Sequence, residues 1–272
     1  MTPSLGTVRI ELDGEVAILT LDHPPLNTIT KEIIVALDEH IDRIGRGASI
    51  RAVVVTAAGE RAFCVGSDIR AFEELTRAGQ LVSGKLRHEN DVFSRLARLP
   101  RPTVAAIEGY ALGGGLELAA CCDFIVCGEG ARLGLPEIRL AALPAIGGTF
   151  RVTHRIGVAR AKELMLLGEP VDAATALSWG LVNRVAATGQ ALRTALDLAR
   201  KLARNPLECH VLCREAIDSG SGLPERQAIE QSLAFSAKLA QGSDFREGAR
   251  AFLAKQQPVF VDVPKGPADQ RG

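Results

Sequence analysis

The stretch Pro102–Asp123, PTVAAIEGYALGGGLELAACCD, sets the pattern of the chain. Its first part, Pro102–Glu108, is apolar and reads as a strand; Gly109–Gly115 follows as a glycine-rich turn, and Leu116–Cys122 as a short apolar helix. Asp123–Cys127 is a strand again. Three adjacent glycines, Gly113–Gly115, are costly because glycine loses more backbone freedom on folding than any other residue. They are tolerated where the backbone turns sharply or approaches something closely. A helix start presents free N–H groups and a positive dipole end. The run therefore reads as a plain corner, a phosphate cradle or an oxyanion hole. No Gly-Lys-Ser/Thr follows, which excludes a P-loop, and the GxGxxG fingerprint is absent.

The same alternation extends outward. Thr7–Leu12 and Glu15–Leu21 are β-rich runs around the hairpin signal Asp13-Gly14. Thr30 is a fitting N-cap for a helix over Lys31–Ile44, where Ile33, Ile34, Leu37 and Ile41 recur at helical spacing. Arg51–Thr56 reads as a buried strand, Ala159–Leu167 and Ala173–Trp179 as helices, and Leu181–Val185 as a strand. Strands alternating with helices imply an α/β fold with parallel pairing and crossover connections. From Gln190 onward the patterns Ala191–Ala203, Leu207–Ser219, Glu225–Gln241 and Asp244–Lys255 are all helical. The expected organisation is a core over 1–190, a helical region over 191–257 and a partly disordered tail over 258–272.

At 272 residues and 47% hydrophobic, the chain can bury a full core. Lys+Arg and Asp+Glu both number 32, and a formal charge of zero argues against nucleic acid as the main partner. The N-terminus lacks a signal or transit pattern and no apolar run is long enough to span a bilayer, so no membrane partner and a cytoplasmic location are expected. Cys64, Cys121, Cys122 and Cys127 sit in apolar surroundings and read as small hydrophobes. Cys209 and Cys213 flank His210 on a helix, but no second ligand cluster supports a metal, and none is expected.

Three features could carry chemistry. Glu117 lies in LELAACC, and its carboxyl is either on an exposed face or in a half-buried pocket, where its pKa would rise toward the acid/base range. Glu137 follows Pro136, so it is either a favourable first-turn acid or a second acid/base group facing Glu117. Gly66-Ser67-Asp68 reads as a turn into a helix, with Asp68 able to cap. Ser67 lacks a GxSxG elbow, so a backbone N–H donor fits this turn better than a nucleophile. The five histidines have nothing nearby to organise them.

Together these segments resemble the enoyl-CoA hydratase/isomerase (crotonase) family. AFCVGSDI at Ala62–Ile69, Pro102–Asp123, LPEIRLAALPAIGGT at Leu135–Thr149 and GLVNRV at Gly180–Val185 occur in the family's order and spacing. The resemblance implies a crotonase-like spiral of β-β-α turns with a C-terminal helical region, assembled as homotrimers that pair into homohexamers. It also implies an acyl-CoA thioester substrate and no cofactor. The family's two oxyanion-hole N–H groups map onto Ser67 and Gly114, and its two hydratase glutamates onto Glu117 and Glu137. Ala62, Val65, Gly66, Asp68, Ile69 and Gly113 fall where the family binds substrate. Finding both glutamates favours reversible hydration of a trans-2-enoyl-CoA. The alternatives are an isomerase or another reaction of the family, such as racemisation or decarboxylation, and a non-catalytic acyl-CoA-binding protein. Ala141 and Ala145 stand where typical hydratases have glycines, and Phe150 where a polar residue is usual.

Overall fold

The structure, a computed structural model, describes residues 6–261. The end of the tail, where disorder is expected, lies outside these residues. Strand β1 (Thr7–Asp13) and β2 (Val16–Asp22) form an antiparallel hairpin with Asp13 opposite Val16. The loop residues are thus Gly14 and Glu15, one position beyond the expected pair. Helix α1 (Lys31–Arg46) starts at Thr30, whose hydroxyl accepts from the Ile33 N–H at 3.3 Å. Its apolar stripe, Ile33, Ile34, Leu37, Ile41 and Ile44, is buried.

Six strands then come in pairs: β3 (Ala52–Ala57) with β4 (Ala62–Cys64), β5 (Thr103–Ile107) with β6 (Tyr110–Leu112), and β7 (Phe124–Gly128) with β8 (Arg132–Gly134). The first of each pair joins a six-stranded sheet of order β1-β2-β3-β5-β7-β10, where β10 is Arg184–Ala186. The second joins a four-stranded sheet of order β4-β6-β8-β9, where β9 is Val171–Asp172. Helical chain follows each pair: α2 (Phe72–Arg77) and α3 (Arg87–Ala97) after β4, α4 (Gly114–Ala119) after β6, and α5 (Gly148–Leu167) after β8. Repeated strand-strand-helix turns with parallel pairing at each level make the expected spiral.

The central strands β3, β5 and β7 of the large sheet are buried on both faces, which is why they read as unbroken apolar runs. Alternate residues point to opposite sides. Val53, Val55, Ala105, Ile107, Ile125 and Cys127 enter one core, and Ala52, Val54, Val104, Ala106 and Val126 the other. The second core is closed by α7 (Ala191–Ala203) through Ala191, Ala195, Leu198, Ala199 and Leu202. The sequence reading groups this helix with the C-terminal region; its small residues instead let it lie flat on the sheet. Beyond it come α8 (Leu207–Gly220), α9 (Glu225–Ala240) and α10 (Ser243–Ala254). Helix α6 (Ala173–Trp179) precedes β10.

Two expectations need correction. The segment Gly109–Gly115 is not all turn: it contains β6, whose Tyr110, Ala111 and Leu112 pair with Arg132, Leu133 and Gly134. Helix α5 begins eleven residues before the expected Ala159, and Gly157 (φ +77°, ψ 164°) kinks it. The periodic pattern is legible only on the far side of that kink.

Candidate active site

The corner between β6 and α4 is shaped by close approach. Gly113 has φ +53°, its N–H donates to the Gly134 carbonyl at 2.9 Å, and a Cβ here would lie 2.9 Å from Glu137 Oε1. A Cβ on Gly115 would lie 2.1 Å from the Cys64 carbonyl oxygen, so α4 sits directly on the end of β4. Gly114 opens the helix, and a first-turn N–H has no acceptor within its own helix.

The Gly66–Ser67 turn at the end of β4 lies against this corner. A Cβ on Gly66 would be 3.2 Å from the Gly114 nitrogen. Ile29 forms an isolated parallel bridge with Ser67: its N–H donates to the Gly66 carbonyl at 2.9 Å, and its carbonyl accepts from the Asp68 N–H at 3.0 Å. In such a bridge the central residue's own N–H points the other way. The Ser67 N–H is therefore turned from Ile29.

Glu117, on the first turn of α4, is 2% exposed. Its Oε1 accepts from the N–H groups of Ile146 at 2.7 Å and Gly148 at 2.8 Å. Burial pushes the carboxyl up to about 7; the Glu137 and Glu89 charges add to the rise, and the two N–H donors oppose it. This settles the choice between exposed face and pocket in favour of the pocket. Glu137 opens a 3-10 turn, Glu137–Leu140, after β8. It is half-buried, burial raises its carboxyl too, and its Oε2 is a buried atom without a hydrogen-bond partner. The fold thus brings Glu117, Glu137, Gly113, Gly114 and the Ser67 turn to one place.

The other candidates surround that turn. Ala62 is buried in β4, and its carbonyl accepts from Asn27 Nδ2 at 2.8 Å. The Val65 N–H donates to the Leu26 carbonyl at 3.2 Å. Asp68 caps the short turn Ile69–Ala71, accepting from the Arg70 N–H, and its ion pair with Arg70 lowers its carboxyl to about 2. Ile69 is exposed. A cavity of about 610 Å³ adjoins the turn through Ile29, Asp68 and Glu89, with Ile34 and Leu75 in its apolar wall. Elsewhere, the four cysteines in apolar surroundings are buried and free. Cys209 and Cys213 bring their sulfurs to 3.9 Å, but among the described residues no three metal-ligating side chains converge.

A sequence model of the enoyl-CoA hydratase/isomerase family matches residues 11–263. The chain belongs to the enoyl-CoA hydratase/isomerase family. It is 35% identical to a "Probable enoyl-CoA hydratase" of Rhizobium meliloti, covering 94% of this chain and 98% of that one. It is 33% identical to the "Short-chain-enoyl-CoA hydratase" of Clostridium acetobutylicum, covering 93% and 97%. The crystal structure of an enoyl-CoA hydratase from Bacillus anthracis superposes with a TM-score of 0.87 at 32% identity, over 94% of this chain and 99% of that one. The fold is the crotonase fold.

In the loop after Glu137, Ala141 adopts φ +54° without being glycine. Ala145 is the residue before Ile146, whose N–H holds Glu117. Sequence reasoning missed what secures this loop. Asn90 on α3 donates to the Ala145 carbonyl at 2.7 Å, and Arg151 on α5 to the Ile146 carbonyl at 3.2 Å. It also missed Glu89, which is 2% exposed, pairs with Lys85 and accepts from the Ser67 hydroxyl at 3.4 Å. The Lys85/Glu89 spacing could have flagged a pair, but it is also the pattern of an ordinary exposed helix face.

Proposed function

We propose that this chain is an acyl-CoA enzyme that adds water reversibly to trans-2-enoyl-CoA thioesters. One observation carries the reading: two carboxyls, the buried Glu117 and the half-buried Glu137, both raised above the ordinary range, flank the Gly113–Gly114 corner. In this mechanism the thioester oxygen accepts from the Ser67 and Gly114 N–H groups. They stabilise the enolate as charge reaches that oxygen. Glu117, gripped by two donors, suits the carboxylate that takes a proton from water as the water oxygen adds to the β-carbon. Glu137, whose buried Oε2 has no partner, suits the group that delivers a proton to the α-carbon. Ala62, Val65, Gly66, Asp68, Ile69 and Gly113 frame the bound thioester. The relatives' names support the same chemistry.

Crotonyl-CoA hydration, followed by loss of the conjugated thioester absorbance, tests this. Glu117→Gln and Glu137→Gln should each lower kcat by about 10² to 10⁴, the range of a lost general acid or base. A wild-type protein inactive on short, medium and branched enoyl-CoAs would overturn the reading. A second reading, double-bond isomerisation, uses the same enolate and needs only one of the two carboxyls. Turnover of 3-enoyl-CoAs exceeding hydration would favour it.

Self-assembly belongs to the proposal. Helix α9 has no buried residue, and Ile229, Leu233, Phe245, Phe252 and Leu253 on α9 and α10 are exposed. Apolar area of this kind suits contact with further copies in a trimer or hexamer. Among the described residues no helix is long and apolar enough to cross a membrane, which is consistent with work in the cytoplasm.

A further inference from the structure

Two neighbouring residues at the start of α3 reach opposite halves of the site. A π-helical turn, Leu81–Leu86, leads into the helix. Such turns are frequent where a helix is re-aimed at a functional site. From the next turn, Asn90 Nδ2 bridges the Leu86 carbonyl at 3.0 Å and the Ala145 carbonyl at 2.7 Å. Ala145 precedes Ile146 and lies three residues before Gly148, and the N–H groups of these two orient the Glu117 carboxyl. One position earlier, Glu89 accepts from the Ser67 hydroxyl at 3.4 Å and pairs with Lys85, whose ammonium is 3.5 Å from the same hydroxyl.

We propose that Glu89 and Asn90 are positioning residues that tie the Ser67 turn and the Glu117 carboxyl to one helix end. Asn90 acts through the Ala145–Gly148 loop, and Glu89, held by Lys85, acts through the Ser67 hydroxyl. The role rests on the site reading above, but neither side chain needs to touch the substrate. Rigid support of this kind fixes reacting groups to the sub-ångström precision that catalysis requires.

The two residues bear on Glu117 with opposite signs. Loosening the loop weakens the Ile146 N–H bond, which lowers the Glu117 pKa, so Asn90→Ala should raise it. Removing the Glu89 charge takes away a neighbour that raises it, so Glu89→Gln should lower it. The other groups near this carboxyl are Glu137 from the turn after β8 and Cys121, whose thiol donates to the Glu117 backbone carbonyl. Arg151 of α5 touches it only through the Ile146 carbonyl. None of the three is itself substituted in either variant.

The experiment is a ¹³C-NMR titration of the full-length, Glu-labelled protein, with the Glu117 signal assigned by its loss in Glu117→Gln. The expected result is a midpoint above wild type in Asn90→Ala and below it in Glu89→Gln, each by on the order of half a unit or more. With crotonyl-CoA, Asn90→Ala should lose about tenfold or more in kcat while KM stays within about threefold, as for an interaction that matters in the transition state. Midpoints that do not move, or that move the same way, overturn the proposal. Because the titration needs no turnover, a wild type without hydratase activity would sink the proposed function and leave this test standing.

Discussion

Glu117 holds a carboxyl in a place that favours its neutral form, and this has a cost that can be measured. Below the usual range near 4.5 the group is protonated in both folded and unfolded chains. Between 4.5 and about 7 the unfolded chain ionises first, so stability falls as pH rises through that window. With about 1.4 kcal/mol per unit, the loss is at most on the order of 3 kcal/mol. Glu117→Gln removes the titration. Its melting temperature relative to wild type should therefore climb between pH 5 and pH 8, and a difference that stays constant with pH would contradict the burial argument. In the proposed hydration, the same burial that readies Glu117 for proton transfer opposes stability.

At the scale of elements, the critical junction is α4 on the end of β4. Gly115→Ala would drive a methyl group into the Cys64 carbonyl, against backbone rather than a flexible side chain. The expected outcome is a loss of more than about 3 kcal/mol, or no folded protein, read by thermal melting. A variant as stable as wild type would mean that α4 can shift away from β4. The glycine run, its flanking strand and the helix behind it are legible in the sequence because local periodicity and backbone chemistry decide them. Strand β6 is not, since three residues between glycines carry too little pattern. The Lys85/Glu89 pair is not legible either: the same spacing serves a solvated face, and only the docking of α3 against Ser67 buries it. Asn90 reaches a carbonyl 55 positions away, a contact that no local pattern encodes. Both glutamates were legible as candidates, whereas the pocket around Glu117 depends on the N–H groups of Ile146 and Gly148, which the chain brings back from a later loop.

At the scale of the molecule, the sheet divides the interior into two cores, and α7 completes the second one within a single chain. The last two helices are different. Phe252 and Leu253 are 83% and 82% exposed, and α9 contributes nothing to either core. If further copies cover this surface, folding and association are linked by mass action. The melting temperature should then rise with protein concentration, and Phe252→Asp should lower it and shift sedimentation to a smaller species. A melting temperature independent of concentration would argue for a self-sufficient monomer. For a chain whose outer helices are finished only by its neighbours, dilution acts as a denaturant. An activity measured at very low protein concentration would then report how fast the assembly falls apart as much as how fast the site turns over.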